Sequence, residues 1–400
     1  MSFTSLPSEL QDSIVDGLDT KTLLSLCLTS KSVLPLARIH LYRSITLYVD
    51  AYPSPDLVEV LNLIWPGQGE IRHVHSVKMG HLFHVFEIHP EWRTWIKELK
   101  VEISGTVDPK STVYETISCS SNLQRLEVRW KPKPWLEHFD HDDTEETLNQ
   151  QTVDCLIQAT TPSVKYLDLG GSRLTQEAVV AFLSKTPLLE TFAYDVKDDS
   201  SPIFSAEKFP SLRNLQRLVL GGDPLEQSAF LAITSSSTLT ALELDFTSVS
   251  CIPTAAVSTL KTLKIRCLRP PAEYDCADEE TASHLATILP NCHSLLVLEM
   301  EDYENADASL FFQTFESLGG LDLLPSFPRR LVLSSFGFSI SYLYDYLSKV
   351  PPYHLELFVR DLLFEKGPNC RDPFKYSRNQ EAEQKVEDLC KEQFIKLHWV

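Results

Sequence analysis

A short apolar pattern of the form LxxLxL, with substitutions, recurs along most of the chain. It occurs at Ile96/Leu99/Val101, Leu123/Leu126/Val128, Val164/Leu167/Leu169 and Leu189/Phe192/Tyr194. It continues at Leu215/Leu218/Leu220, Leu239/Leu242/Leu244, Leu260/Leu263/Ile265 and Leu295/Leu298/Met300, with weaker versions at Leu331/Leu333 and Leu355/Leu357. Each predicts a strand whose leucines turn inward while the residues between them face outward. The central positions 167, 192, 218 and 242 are separated by 25, 26 and 24 residues, a period that marks stacked repeats.

Segments with helical spacing lie between these strands. TQEAVVAFLSKTP follows Gly170 and Gly171, and EQSAFLAITSSS follows Gly221 and Gly222. Two whole units align, YLDLGGSRLTQEAV against RLVLGGDPLEQSAF, which places Leu174 over Leu225 and Ala178 over Ala229. Each strand then has a following helix to cover its apolar side, and stacking one unit on the next joins the cores. The intervals of 41, 35 and 33 residues elsewhere require insertions, so a fully regular array is not expected.

The first 50 residues carry a different pattern. Pro7 suits the first turn of a short helix bearing Leu10, Ile14 and Leu18. Asp19 offers an N-cap to a second helix with Leu23, Leu24 and Leu26, and Thr29 a cap to a third carrying Val33, Leu36 and Ile39 to Tyr42. Pro35 is tolerable there only in the first turn. Three helices this short enclose a very small core, so a partner or an adjoining domain should complete their burial.

The stretch from Leu6 to about Leu47 resembles an F-box of the kind found ahead of many fungal leucine-rich-repeat proteins. The matching residues are Leu6-Pro7, Glu9-Leu10, Ile14, Leu18, Leu23, Leu26, Leu28-Thr29-Ser30-Lys31 and Leu41-Tyr42. Ile96 to about Leu357 resembles the irregular leucine-rich repeats associated with F-box proteins, without the usual buried Asn or Cys after the strand. The expected fold is therefore α/β, an N-terminal three-helix F-box followed by an irregular leucine-rich-repeat solenoid. The expected partition is an F-box over 1–50, a linker with atypical opening repeats over 51–95, the solenoid over 96–360 and a C-terminal cap over 361–400. In that cap NQEAEQKVEDLCKEQF predicts a helix with Val386, Leu389 and Phe394 available for packing, and FIKLHWV a closing strand or short cap.

The resemblance implies that Leu6, Pro7, Leu10, Ile14 and Leu18, with Leu23 or Leu26, form the surface and supporting core that engage the small adaptor of an SCF-type cullin-RING ubiquitin ligase. The chain would then be the ligase's substrate-recognition subunit. The alternative is an F-box scaffold that assembles proteins without promoting ubiquitin transfer. Strand alternation points to Glu127, Arg129, Lys165, Asp168, Glu190, Asp195, Arg217, Glu243, Asp245, Lys264, Arg266, Glu299 and Glu301 as the candidate substrate-binding face.

Composition narrows the classes further. Fifty-five acidic residues against 36 basic ones give a net charge of -19, which opposes binding to nucleic acid or an anionic membrane. No apolar run approaches the roughly 18 residues of a membrane span, and the first residues show no secretory signal. Nine scattered cysteines without a CxxC pair read as reduced thiols, and the expected residence is cytoplasm, nucleus or both. No nucleophile elbow, phosphate loop, HExxH or EF-hand pattern occurs, so no catalytic centre and no cofactor are expected. His73, His75, His81, His84 and His89 fit no compact metal motif. His138, Asp140, His141 and Asp142 sit in an acidic, proline-bearing loop over 131–150 and read as solvated groups.

Overall fold

The computed structural model describes residues 3, 6–29, 31–50, 82–104, 111–130, 150–170, 174–195, 209–221, 227–235, 238–245, 249, 251–266, 279–301, 314–334, 340–360, 364–365, 377–378 and 380–399. The expected helix after Pro55, the strand IRHVHSVKM and nearly all of the acidic loop 131–150 lie outside them. The chain divides into two compact units, Met1–Leu189 and Glu190–Val400. Both are mixed α/β with parallel strands.

The first unit opens with α1 (Ser8–Asp16), α2 (Thr20–Thr29) and α3 (Leu34–Leu41). Pro7 stands directly before α1 with φ -54, pre-set for a helix start. Asp19 caps α2, its Oδ1 accepting the Thr22 N–H at 2.7 Å, and this hydrogen bond holds its carboxyl below the usual range. Thr29 closes α2, and the N-cap position of α3 falls on Val33 and not on Thr29, with Pro35 in the first turn. Packing of α3 against both α1 and α2 buries Val15, Leu23, Val33 and Ala37.

β1 (Ser44–Asp50), β2 (Glu98–Ser104), β3 (Arg125–Trp130) and β4 (Tyr166–Asp168) then pair in parallel. The sequence pattern did not announce β1. Helices α4 (Thr112–Cys119), α5 (Gln150–Ala159) and α6 (Gln176–Lys185) follow β2, β3 and β4 in turn, as parallel pairing requires of its connections. Ile45, Leu99, Leu126 and Leu167 form one inward row and Leu47, Val101 and Val128 the next, all buried. Ile117, Leu156, Val179 and Phe182 of the helices are buried with them.

The second unit holds β5 (Thr191–Asp195), β6 (Arg217–Gly221), α7 (Gln227–Thr234), β7 (Ala241–Asp245), β8 (Thr262–Arg266), α8 (Glu279–Ile288), β9 (Val297–Glu301), β10 (Arg330–Ser334), α9 (Ile340–Lys349) and β11 (Glu356–Arg360). A short antiparallel pair, β12 (Phe364–Glu365) and β13 (Ser377–Arg378), precedes α10 (Gln380–Glu392) and β14 (Lys396–Trp399). Strands β5 to β11 pair in sequence order, and β14 adds to β11 in parallel. Phe192, Leu218, Leu242, Leu263, Leu298, Leu331 and Leu357 form one continuous buried row. Val386 and Leu389 of α10 are buried, but Phe394 is not. It is exposed, in left-handed backbone with φ 55, and stacks on Tyr353 at 4.4 Å.

One hydrogen-bond motif recurs at the entrance of the strands. The carbonyl just before a strand accepts two consecutive N–H groups from the next repeat, using both of its lone pairs. Arg43 O takes Lys97 and Glu98 at 2.8 and 2.9 Å, and Lys97 O takes Gln124 and Arg125 at 2.7 and 2.9 Å. In the second unit Glu190 O takes Gln216 and Arg217, Gln216 O takes Thr240 and Ala241, and Thr240 O takes Lys261 and Thr262. Lys261 O and Leu296 O extend the series to Val297 and Arg330.

Gly320 sits in left-handed backbone with φ 53, where Leu321 N–H donates to the Tyr342 hydroxyl. A Cβ there would overlap that hydroxyl. Gly320→Ala is expected to lower stability by about 2 kcal/mol through backbone strain and steric overlap, read as a lower urea midpoint with unchanged slope.

Candidate functional site

Two surfaces stand out, one apolar and one charged. On the N-terminal helices Leu10 and Ile14 lie one turn apart on α1, Leu24 and Leu28 one turn apart on α2, and Ile39 on α3. Their exposures are 51, 48, 51, 88 and 37%, whereas Val15 and Ala37 of the same helices are fully buried. Covering the exposed parts of five such side chains is worth about 5 kcal/mol before the costs of association.

The residues predicted to engage an adaptor separate by depth. Pro7, Leu10 and Ile14 face outward, Leu6, Leu18 and Leu26 are half-buried, and Leu23 belongs to the small core. Leu24, Leu28 and Ile39 were not assigned to that face from sequence. The four-residue step from Leu24 to Leu28 was the available signal. Polar contacts tie α1 to the end of α3: Arg43 pairs with Asp16, and His40 stands 3.4 Å from both Asp12 and Asp16.

Aromatic contacts fix the end of α3 to the segment before β2, which includes a 3-10 turn over Pro90–Trp95. Tyr42 lies 5.2 Å from Trp92 and 5.9 Å from Phe86, Trp92 stacks on Trp95 at 5.4 Å, and Arg38 sits 5.2 Å over Trp92. The apolar patch is thus presented from an anchored base.

The second surface is the outward side of the strands. In the first unit Lys100, Glu127 and Asp168 share one row, and Glu102 and Arg129 the next. Lys100 pairs with Glu102 at 2.7 Å, Arg125 Nε donates to Glu127 at 2.7 Å, and Arg129 pairs with Asp168. Burial pushes the Asp168 carboxyl up, opposed by Arg129 and by the Gly170 N–H at 2.9 Å. A Cβ on Gly170 would come within 3.0 Å of Asp168 Oδ1 and 3.2 Å of Arg129 Nη1, so this strand end needs glycine for the close approach.

In the second unit Glu243, Lys264 and Glu299 share a row, with Asp245 and Arg266 in the next. Arg217 and Arg266 donate to the two oxygens of Glu243 at 2.7 and 2.9 Å, and Lys264 pairs with Glu299. The acids lie beneath the bases. Side chains of Glu243 and Glu299 are 11 and 7% exposed, against 47% for Arg217 and 45% for Arg330.

Lys165 and Glu190 do not join these rows. Each sits one residue before its strand, at the entry position described above, where alternation places Tyr166 and Thr191 outward instead. Asp195 and Glu301 end β5 and β9, and their side chains lie outside the described set. Of the histidines, His89 stacks on Trp92 at 4.2 Å and His84 approaches Glu87 at 3.5 Å, while His73, His75, His81 and His138 lie outside the described residues.

Among the described residues, no three metal-ligating side chains gather, and no helix is long and apolar enough to cross a membrane. The described cysteines are free thiols, and burial raises Cys292 to about 12 and Cys390 to about 11, which keeps both protonated and unreactive. No protein-family model matches the chain, and no curated protein matches it.

Asp168 supplies a pH test. A carboxyl raised by folding contributes stability that is present below its unfolded value and lost as pH rises through its folded value. Acidification from about pH 7 to about pH 4 should therefore shift the stability difference between wild type and Asp168→Asn in favour of wild type, measured by urea unfolding at each pH.

Proposed function

We propose that this chain is the substrate-recognition subunit of an SCF-type cullin-RING ubiquitin ligase. In this reading the three N-terminal helices are an F-box that docks on the adaptor, and the strand-helix units form an irregular leucine-rich-repeat solenoid that holds the target. The observation that carries it is the outward apolar set Leu10, Ile14, Leu24, Leu28 and Ile39, on helices too short to bury it themselves. Pro7 supports it as a pre-set edge, since its φ is fixed before any partner arrives.

The mechanism is connection without bond making by this chain. The adaptor joins the chain to a cullin, whose RING partner brings a ubiquitin-loaded conjugating enzyme. A target held on the repeats keeps its lysines at high effective concentration near that enzyme. No thiol of this chain carries ubiquitin in the scheme. Residence in cytoplasm or nucleus follows from the proposed partners.

The test is quantitative binding of the full-length protein to purified adaptor and to adaptor-cullin complex. Leu10→Ala with Ile14→Ala should weaken binding at least about tenfold while leaving thermal unfolding unchanged, because both side chains are half outside the core. Absence of binding by folded wild type would turn the reading to a protein-assembly scaffold.

A further inference from the structure

We propose that the outward face of β6 to β10 binds an extended peptide segment rich in Asp or Glu, with Arg217, Lys264 and Arg330 as its anchors. The proposal rests on the reading of the repeats as a target-holding surface and adds the chemistry of what they hold.

By formula this face has mixed charge, but depth sorts the two signs. Glu243 and Glu299 are pressed against the sheet under their bases, so an approaching molecule meets guanidinium and ammonium groups first. The buried acids fix the stems of those bases, and on Arg217 they leave donors over. A guanidinium has five N–H donors, and Arg217 commits one nitrogen, Nη2, to Glu243. Arg330 lies 4.3 Å over the Phe358 ring, and its Nε is 4.0 Å from the Glu299 carboxylate, beyond hydrogen-bond reach. Stacking holds the Arg330 plane while its edge stays available to a carboxylate.

The spacing selects the ligand. Arg217 of β6 and Arg330 of β10 share one register row, roughly 19 Å apart at ordinary strand separation, and Lys264 stands on β8 between them, two residues further along its strand. A phosphate group needs donors converging on one point. Anchors set apart on separate strands match single negative charges on an extended chain, about one every third residue at roughly 3.3 Å per residue. The net charge of -19 works against an acidic partner at long range, so recognition here depends on contact inside about a Debye length.

The probe is a fluorescein-labelled peptide of roughly twelve residues, a Glu-Ser-Thr repeat, titrated with the full-length protein and followed by anisotropy. A Gln-Ser-Thr peptide and a Gln-Ser-Thr peptide bearing one phosphoserine are run beside it. Saturable binding of the Glu peptide alone, weakened at least about tenfold by Arg217→Gln with Arg330→Gln, is the expected result. Arg266 and Lys264 still neutralise Glu243 and Glu299 in that variant. If the double variant has a lower unfolding midpoint, Arg330→Gln alone decides, since it breaks no hydrogen bond to a carboxylate. Equal binding of the Gln peptide, preference for the phosphoserine peptide, indifference to the substitutions, or no binding by folded wild type would overturn the proposal. Adaptor binding is measured on the same samples. Its loss with peptide binding intact sinks the ligase reading alone, and the reverse sinks only this inference.

Discussion

Each repeat is registered by a single carbonyl that accepts two N–H groups at the strand entrance. From Arg43 to Gln124 in the first unit and from Glu190 to Leu296 in the second, the residue before a strand sets where the next strand begins. Everything downstream follows from that alignment. Register fixes which leucines meet in the inward rows, and a slip of one residue would turn every one of them to the other side. The same alignment sets the outward rows, and so the pairing of Arg217, Arg266 and Glu243 across three strands.

Because alignment happens at the entrance, the far end of each strand is released from it. The chain can leave a strand through a helix of eight residues such as Thr112–Cys119 or a brief helical turn such as Thr254–Ala256, and the next entrance still lands on its carbonyl. Unequal distances between strands are thereby compatible with unbroken parallel pairing within each unit. The fall in regularity that the sequence shows between Leu126 and Leu167, or between Leu263 and Leu331, is a property of the connections and not of the strands.

Strands were legible because their leucines are both inward and evenly placed, and each LxxLxL pattern coincides with one from β2 to β11. The first strand escaped because SITLYVD follows directly on the helices and lacks the leading leucine. Helices α4, α5, α8 and α9 went unread for a different reason: α6 and α7, which are no longer than these, each follow a Gly-Gly pair and align with one another, and these four have neither signal. On the outward face, residue choice was legible but depth was not. Whether Glu243 is buried depends on Arg217 and Arg266, each more than 20 residues away, and on a register the linear pattern does not encode. Lys165 and Glu190 fall off the outward rows because they follow the leading residues Val164 and Leu189, which stand before the strand, where its alternation does not apply.

Glu243 is held by two bases, and Glu299 has Lys264 beside it with Arg330 near. Either arginine over Glu243 can be exchanged while the other still neutralises the buried carboxylate, whose isolation would be costly. Such redundancy gives the surface room to drift. The exposed tier can therefore change one residue at a time without stranding a buried carboxylate, as a lock may be rekeyed without being taken off the door.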